Sequence, residues 1–406
     1  MTTGSHWQRC AHERRLRVVH IVNNLNYGGL ERVIHDLVRR GDPDRQELHV
    51  LALQYLGVFS EGLDAYAQLH TAPPLPKWTL LWPAPLIRQL RAIAPDVVHT
   101  HSGVWYKASL AARQAGVRAI VHTEHGRRRP DPWDMRLVDG IASRRTDVVV
   151  AVSEPLAAQL ARTVVRRGTR IEVIANGVDT DRYQPRSAER TVRQELGIAS
   201  EVPIIGSIGR LEHIKGYDVM VEAFAVLRRM WPADDAASGP PPVLLLCGEG
   251  AERAALERQA ARSGVADAIH FLGWRNDIEA LHATFDIFTL ASRSEGTSIG
   301  LLEAMSAGLC PVVTDVGGNP GVLGAELRHR LVPANAPDAL ARAWRDALQH
   351  GEARQHDAAA ARARVVPVFG VEQMVRAYDA LYREVACADA RGGTSGVVEC
   401  ASVTPQ

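Results

Sequence analysis

Residues 286–318 read DIFTLASRSEGTSIGLLEAMSAGLCPVVTDVGG. The opening run, DIFTLAS (286–292), has the apolar pattern of a buried strand. GLLEAMSAG (300–308) has a helix composition that ends at a glycine stop. CPVVTDVGG returns to a strand and a Gly-Gly turn. Strand, glycine-bearing loop, helix, strand is the repeating unit of a parallel sheet covered by helices. Glu295 falls on the loop at the strand's carboxyl end, and Glu303 falls inside the helix. The helix is expected to open with free amides at Thr297, Ser298, Ile299 and Gly300. Such amides lie at the positive end of a helix dipole and can hold an anion or sugar hydroxyls. Gly296 and Gly300 let a ligand approach the backbone. Two carboxylates beside that nest suit a polyhydroxylated ligand, because each accepts hydroxyl hydrogen bonds. A glutamate pair at this spacing means little alone; the strand, glycines and helix around it give it weight.

The same alternation runs outward in both directions. LRVVHIVN (16–23) precedes a glycine turn and the helix-like LERVIHDLVRR (30–40). ELHVLAL, DVVHTH, RAIVHTEH, DVVVAVS and IEVIANG follow. The pattern pauses in the polar stretch DTDRYQPRSAERTVRQELGIASEVP, which suits a linker leading into a short helix. A second series starts at VPIIGSIGR (202–210) and continues through PVLLLCGEG and AIHFLGW to the stretch quoted first. A chain of 406 residues accommodates two domains. The reading is α/β: two doubly wound domains in tandem, with ligands outside the carboxyl ends of their strands. PADDAASGPPP (232–242) reads as a mobile loop, and the small polar residues after about Ala386 as a disordered tail.

Three further stretches bear on chemistry. GSIGRLEHIKGYD (206–218) places Arg210 and Lys215 at the end of a strand, where a guanidinium and an ammonium can neutralise a diphosphate. NNLNYGGLERVIHDL (23–37) opens a helix at Gly28-Gly29, an anion-friendly start that lacks the dinucleotide fingerprint. Glu31 there serves either the helix dipole or a ligand. His101 and His125 each follow an apolar strand, and His125 precedes Gly126 and a basic run. The residues show no persuasive metal-binding motif.

The net charge of +1 argues against a dedicated nucleic-acid binder. The first 185 residues carry an excess of Lys and Arg and the remainder an excess of Asp and Glu. A basic first half suits either plain solvation or contact with anionic lipid or a phosphate-bearing acceptor. Five scattered cysteines give neither a disulfide framework nor a zinc spacing. The start lacks the apolar core of a signal peptide, and no run is long enough to span a bilayer, so a cytoplasmic protein is expected, soluble or peripheral on the membrane's inner face.

Taken together, these motifs resemble retaining glycosyltransferases of family 4, which have the GT-B fold of two Rossmann-like domains facing across a cleft. The resemblance runs from about residue 16 to 386. SRSEGTSIGLLEAMSAGLCPVVTDVGGNP is similar to that family's Glu-x7-Glu region, GRLEHIKGYDVMVEAF to its Arg…Lys-Gly element, and NYGGLERV to its N-terminal Gly-Gly loop. IANGVDTDRY resembles its run into the linker, and FGVEQMVRAYDALYREV (369–385) its closing helix. This implies an extension over 1–15, an acceptor-side domain over 16–185, a donor-side domain over 186–368, a crossover helix over 369–386 and a tail over 387–406. It implies that Arg210 and Lys215 bind the donor diphosphate and that Glu303 binds ribose. Glu295 and His125 would contact the transferred sugar, with amides of Thr297, Ser298 and Ile299 holding sugar and phosphate beside Gly296. Gly28 and Gly29 would approach the distal phosphate, and Trp274 and Arg275 lie where a base could be held. Where many relatives carry an acid after GGNP, this chain has Gly321. The implied activity is metal-independent transfer of a hexose from a UDP- or GDP-sugar co-substrate to a glycan or lipid-linked acceptor, with no resident cofactor. The alternatives are a nucleotide-sugar 2-epimerase of the same fold and a catalytically inactive binding relative.

Overall fold

The computed structural model describes residues 14–26, 28–73, 82–127, 132–186, 190–232 and 239–388. Residues 389–406 of the expected tail, most of the loop over 232–242 and the basic residues Arg128 and Arg129 lie outside them, whereas Cys387 and Ala388, expected in the tail, continue the last helix. The first sheet has seven strands: β1 (Leu16–Asn24), β2 (Gln46–Tyr55), β3 (Gln68–Thr71), β4 (Val97–His101), β5 (Ala119–Glu124), β6 (Val148–Ala151) and β7 (Arg170–Val173). Their spatial order is β3-β2-β1-β4-β5-β6-β7. The second sheet has six: β8 (Ile204–Ile208), β9 (Val243–Cys247), β10 (Ile269–Gly273), β11 (Ile287–Leu290), β12 (Cys310–Thr314) and β13 (Leu331–Val332). They run in the order β10-β9-β8-β11-β12-β13. The pairings are parallel in both sheets. Each sheet therefore reverses its winding once, between β1 and β4 and between β8 and β11, which opens a crevice at the strands' carboxyl ends.

The helices of the first domain are α1 (Gly29–Arg39), α2 (Ala84–Ile93), α3 (Trp105–Ala115), α4 (Trp133–Ser143) and α5 (Glu154–Thr163). After the short α6 (Arg190–Glu195), the second domain carries α7 (Tyr217–Met230), α8 (Arg253–Arg262), α9 (Ile278–Thr284), α10 (Ile299–Ser306), α11 (Asn319–Leu323), α12 (Pro337–Gln349) and α13 (Gly351–Phe369). The last helix, α14 (Val371–Ala388), returns to the first domain. The near-continuous Val/Ile runs of the strands follow from burial on both faces. Val18 and Val22 of β1 face one core with Val33, Ile34, Val121 and Val150. Val19 and Ile21 face the other, with Leu86, Leu90, Val98 and Ile120. That alternation is the period of two of a strand covered above and below.

Helix α14 completes the first of these cores. Met374, Tyr378, Leu381, Tyr382 and Val385 recur at helical spacing and pack with Val18, Val97 and Val121. The chain thus passes between domains twice, and the two passes are paired: Val178 N donates to Phe369 O (2.8 Å) and Val371 N to Val178 O (2.9 Å). The two-domain, doubly wound architecture expected from the sequence is the one observed. The short edge strands β3 and β13 were not legible in it. QLHT is too polar and short to register as a strand, and β13 is a two-residue pairing with β12.

Candidate active site at the facing ends of the two sheets

The second domain supplies a lysine–glutamate pair. Lys215 ends a single helical turn (His213–Lys215) after β8. Gly216 follows at φ 67°, with its missing Cβ aimed into the Ala291 carbonyl, so only glycine lets this turn lie against the end of β11. Lys215 Nζ then reaches Glu295, 2.7 Å from Oε1 and 3.0 Å from Oε2. Ser292 Oγ donates to the same carboxylate at 2.6 Å. The loop is fixed from outside by Arg293, which grips Asp218 at 2.8 and 2.6 Å and donates its backbone N–H to Ile214 O. Arg210 is exposed and pairs with Glu212 at 2.9 Å. So neither expected diphosphate cation stands alone. The Lys215 and Glu295 side chains are 24% and 7% exposed, and each would be destabilising there without the other.

The loop after Glu295 straps the two domains together. Thr297 Oγ1 donates to the Val152 carbonyl, Asn176 Nδ2 donates to Thr297 O (2.8 Å), and Ser294 Oγ donates to Arg127 O (3.3 Å). Gly296 lies against the His125 carbonyl, and its own carbonyl accepts from Gly318 N (2.9 Å). The helix starts one residue before the GLLEAMSAG run, and its cap stands one position past Thr297, the first of the expected amides. α10 begins at Ile299, with Ser298 as N-cap accepting from Leu301 N (3.4 Å), while the Thr297 hydroxyl is committed to the first domain. The amides that a helix starting here leaves without an intrahelical partner are those of Ser298, Ile299, Gly300 and Leu301, and the cap satisfies Leu301.

From the opposite side, Gly29 brings the start of α1 up to α10; a Cβ on it would lie 3.4 Å from Ile299 Cγ1. Glu31 folds back over Gly28 and bonds its own backbone N–H. Burial pushes its carboxyl up, opposed by that hydrogen bond and by the charge of Arg210 across the gap. Glu31 thus fills the helix start that its own glycines leave open, a local role that the sequence left undecided.

Glu303 is buried one turn further along α10 and faces a cavity of about 550 Å3 shared with Ile299, Arg32, Asp36, Arg182 and Tyr183. The Tyr183 hydroxyl has its pKa pushed up by burial first and then by the Glu303 charge. His282 Nε2 lies 4.0 Å from Glu303 Oε2 and is wholly buried. Neither Arg210 nor Lys215 lines this cavity. Trp274 and Arg275 stand apart at the end of β10: Trp274 is half exposed, and Arg275 is held by Glu195 (2.6 Å) and Asp277 (2.6 Å). Gly321 sits in α11, where Arg364 donates to the Gly321 and Val322 carbonyls at 2.7 Å, so the segment is held without an acid at 321.

His125 is the end of a buried imidazole chain. His20 Nδ1 and His101 Nε2 are 3.1 Å apart, and His101 Nδ1 and His125 Nε2 are 3.2 Å apart. His99 is engaged on both nitrogens, by Tyr382 Oη (2.6 Å) and Thr123 Oγ1 (2.7 Å). Three of these rings lie close enough to hold a metal ion, but the hydrogen bonds already use both nitrogens of His99 and His101. Burial pushes His20 down to about 4 and His125 to about 3, and lowers His99, His101 and His122 as well. The folded protein keeps these rings neutral, whereas the unfolded chain protonates them below the ordinary value. Stability is therefore full above pH 6.5 and is lost as pH falls toward about 4, the window set by His20. The expected loss is about 1.4 kcal/mol per pH unit for each such ring. A melting temperature that stays flat across that window would contradict the buried neutral chain.

Sequence reasoning missed Asn176, the Thr297 strap and the buried triad in which Arg127 bonds Glu124 (3.0 Å) and Asp139 (2.8 Å). The Asn-Gly pair that closes the apolar run IEVIANG, three residues past the end of β7, was the one available signal for Asn176.

Comparison with known proteins agrees with this geometry. Residues 27–182 match the model for "Glycosyltransferase Family 4" and residues 188–364 the model for "Glycosyl transferases group 1". A lipopolysaccharide core biosynthesis mannosyltransferase of Rhizobium meliloti is 30% identical over 66% of this chain and 72% of its own. A GDP-mannose-dependent phosphatidylinositol monomannoside mannosyltransferase of Mycobacterium tuberculosis is 28% identical over 82% and 89%. Among solved structures, Anabaena HepE in complex with UDP and glucose superposes with a TM-score of 0.77 at 21% identity, covering 91% of this chain and all of that one (100%). The fold, the strap loop and both matched halves lead to one assignment: this chain belongs to glycosyltransferase family 4 and is a glycosyltransferase of the GT-B fold.

Proposed function

We propose that the protein transfers a hexose-type sugar, with retention and without a metal ion, from a UDP- or GDP-sugar to a glycan or lipid-linked acceptor. The observation that carries this is the Lys215–Glu295 pair beside the open amides of α10, facing the His125 carbonyl across the strap loop. Breaking the sugar–phosphate bond leaves an oxocarbenium-like centre and sends the electron pair to the departing diphosphate. Lys215, Arg210 and the amides of Ile299 and Gly300 would meet that charge, being fixed before the reaction begins. The acceptor hydroxyl forms the new bond to the anomeric carbon, and its proton passes to the departing phosphate oxygen. Glu295, already fixed by Lys215 and Ser292, would hold sugar hydroxyls, and Glu303 would hold those of the ribose. The bond between Thr297 and Val152 ties the two domains beside the gap, and closure there would limit donor hydrolysis by water. The names of the mannosyltransferase relatives support a GDP-linked donor, and HepE supports a UDP-linked one.

The test is a thermal-shift panel of UDP-, GDP- and ADP-sugars, followed by an acceptor screen and assignment of the product's anomeric configuration. One UDP- or GDP-sugar is expected to stabilise the protein by at least several degrees and to be transferred with retention in the presence of a chelator. Inverted product, loss of activity with the chelator, or epimerisation of the donor alone would overturn the reading.

A further inference from the structure

His282, in the last turn of α9, is a buried imidazole without partners. Both of its ring nitrogens lack a hydrogen bond among the described residues. Its ring is boxed by the rings of Tyr183, Phe285 and Phe288, with centroids 5.9, 6.1 and 5.8 Å away. Leu281 and Phe285 of the same stretch belong to the apolar cluster that also holds Leu302 and Met305 of α10. A phenylalanine would fill such a box and leave no buried polar atom unmet, whereas each unmet donor or acceptor is destabilising. The polar group that His282 faces is the Glu303 carboxylate, with Nε2 4.0 Å from Oε2. That gap is too long for a hydrogen bond and short enough for a side-chain rotation to close. The wall that carries both residues is fixed. Arg182 bonds Glu279 at the start of α9, and Ser306 Oγ at the end of α10 donates to Tyr183 O at 2.7 Å. Glu303 and Tyr183 line the cavity between the domains, while His282 stands behind them and is not part of its lining.

We infer that His282 is a positioning residue for the nucleoside end of the donor, one that makes the site select a ribonucleotide. When ribose hydroxyls reach Glu303, its carboxylate turns back, Oε2 accepts from His282 Nε2–H, and Oε1 stays toward the cavity for the 2′ and 3′ hydroxyls. A carboxylate has acceptor sites enough for both tasks, and a neutral imidazole can carry its proton on Nε2. His282 touches no substrate atom and acts only through Glu303. Its donor is satisfied in the complex and unmet in the free protein, so the penalty of the unmet group disappears only when a ligand with the ribose diol binds. A nucleotide without those hydroxyls leaves Glu303 and His282 as they are and forgoes that gain. The inference rests on the reading of Glu303 as the ribose ligand.

The experiment is calorimetric titration of the full chain with UDP and GDP, and with the 2′,3′-dideoxy form of whichever binds. The wild type is expected to prefer the ribonucleotide by about tenfold or more, and Glu303→Gln to abolish the preference. His282→Phe is expected to weaken the ribonucleotide about tenfold and to leave the affinity of the dideoxy form unchanged. Its melting temperature is expected to be no lower than that of the wild type, since no buried nitrogen is then left unmet. His282→Gln, whose amide N–H can stand where Nε2 does, is expected to restore most of the preference. A preference kept in full by His282→Phe but lost in Glu303→Gln would overturn the inference and leave the ribose reading standing. So would a His282→Phe variant that melts lower and binds both nucleotides equally less well, since His282 would then be a packing residue. A wild type with no preference, or a Glu303→Gln variant that keeps it, would overturn both.

Discussion

Replacing Lys215 by alanine is expected to lower turnover about 10²–10³-fold, the effect of losing one preorganised donor to a leaving group's charge, or roughly 2.7–4 kcal/mol. The structure adds a complication. Lys215 is also the cation beside Glu295, a carboxylate that is only 7% exposed and otherwise bonded by Ser292. Its loss strands a buried charge, which is destabilising by itself. The two effects separate in a double-mutant cycle with Glu295→Gln. If Lys215 serves the diphosphate, the double variant regains the melting temperature lost by Lys215→Ala but stays as slow. Recovery of turnover in the double variant would mean that Lys215 only neutralises Glu295, and the leaving-group assignment would fall. Arginine is not expected to substitute, because its planar guanidinium would pair with Glu295 as a bidentate fork and would not place a compact charge at the point where the ammonium stands.

Alanine at Gly296 is expected to have an effect of similar order. A Cβ there would strike the His125 carbonyl and lie 2.7 Å from Val152 Cγ2, both in the first domain. The loop would have to retreat from the interface, carrying Glu295 with it and loosening the Thr297 strap. A displacement near 1 Å at a reacting centre lowers rates about 10²-fold. Gly321→Ala is the matched control, since nothing lies within 4 Å of a Cβ at that position. It is expected to keep activity and to raise the melting temperature slightly, as Gly-to-Ala changes do within helices, by up to about 1 kcal/mol. If both variants behave alike, the strap loop's contact with the first domain does not matter to the reaction.

How much of this was legible in the chain follows from what each feature depends on. Strand and helix order could be read because both sheets are buried on two faces, which writes Val/Ile runs such as VVVA in β6 directly into the sequence. Glu295 and Glu303 could be placed because the strand and the glycine stop on either side are local. Contacts between sequence-distant segments could not. The Thr297–Val152 bond joins residues 145 positions apart, and Asn176–Thr297 joins residues 121 apart. The Asn-Gly pair marks Asn176 as a turn residue, but nothing in SEGTS or NGVD announces which distant partner either bond takes. The pairing of Lys215 with Glu295 was hidden for the same reason, so two side chains given separate tasks turned out to share one ion pair. The histidines illustrate the limit from the other side. His101 and His125 each looked solitary, and only the packing of β1, β4 and β5 side by side joins them into a chain with His20.

The return of α14 has a consequence for synthesis. The first sheet is complete once β7 has been made, yet the core against Val18 and Val121 also needs Tyr378, Leu381 and Tyr382. About 200 residues separate the two in the chain. At ~5–20 residues per second on the ribosome, the nascent first domain waits roughly 10–40 s with that apolar surface open. During that interval the unfinished half is exposed to aggregation and needs shelter until its C-terminal helix emerges.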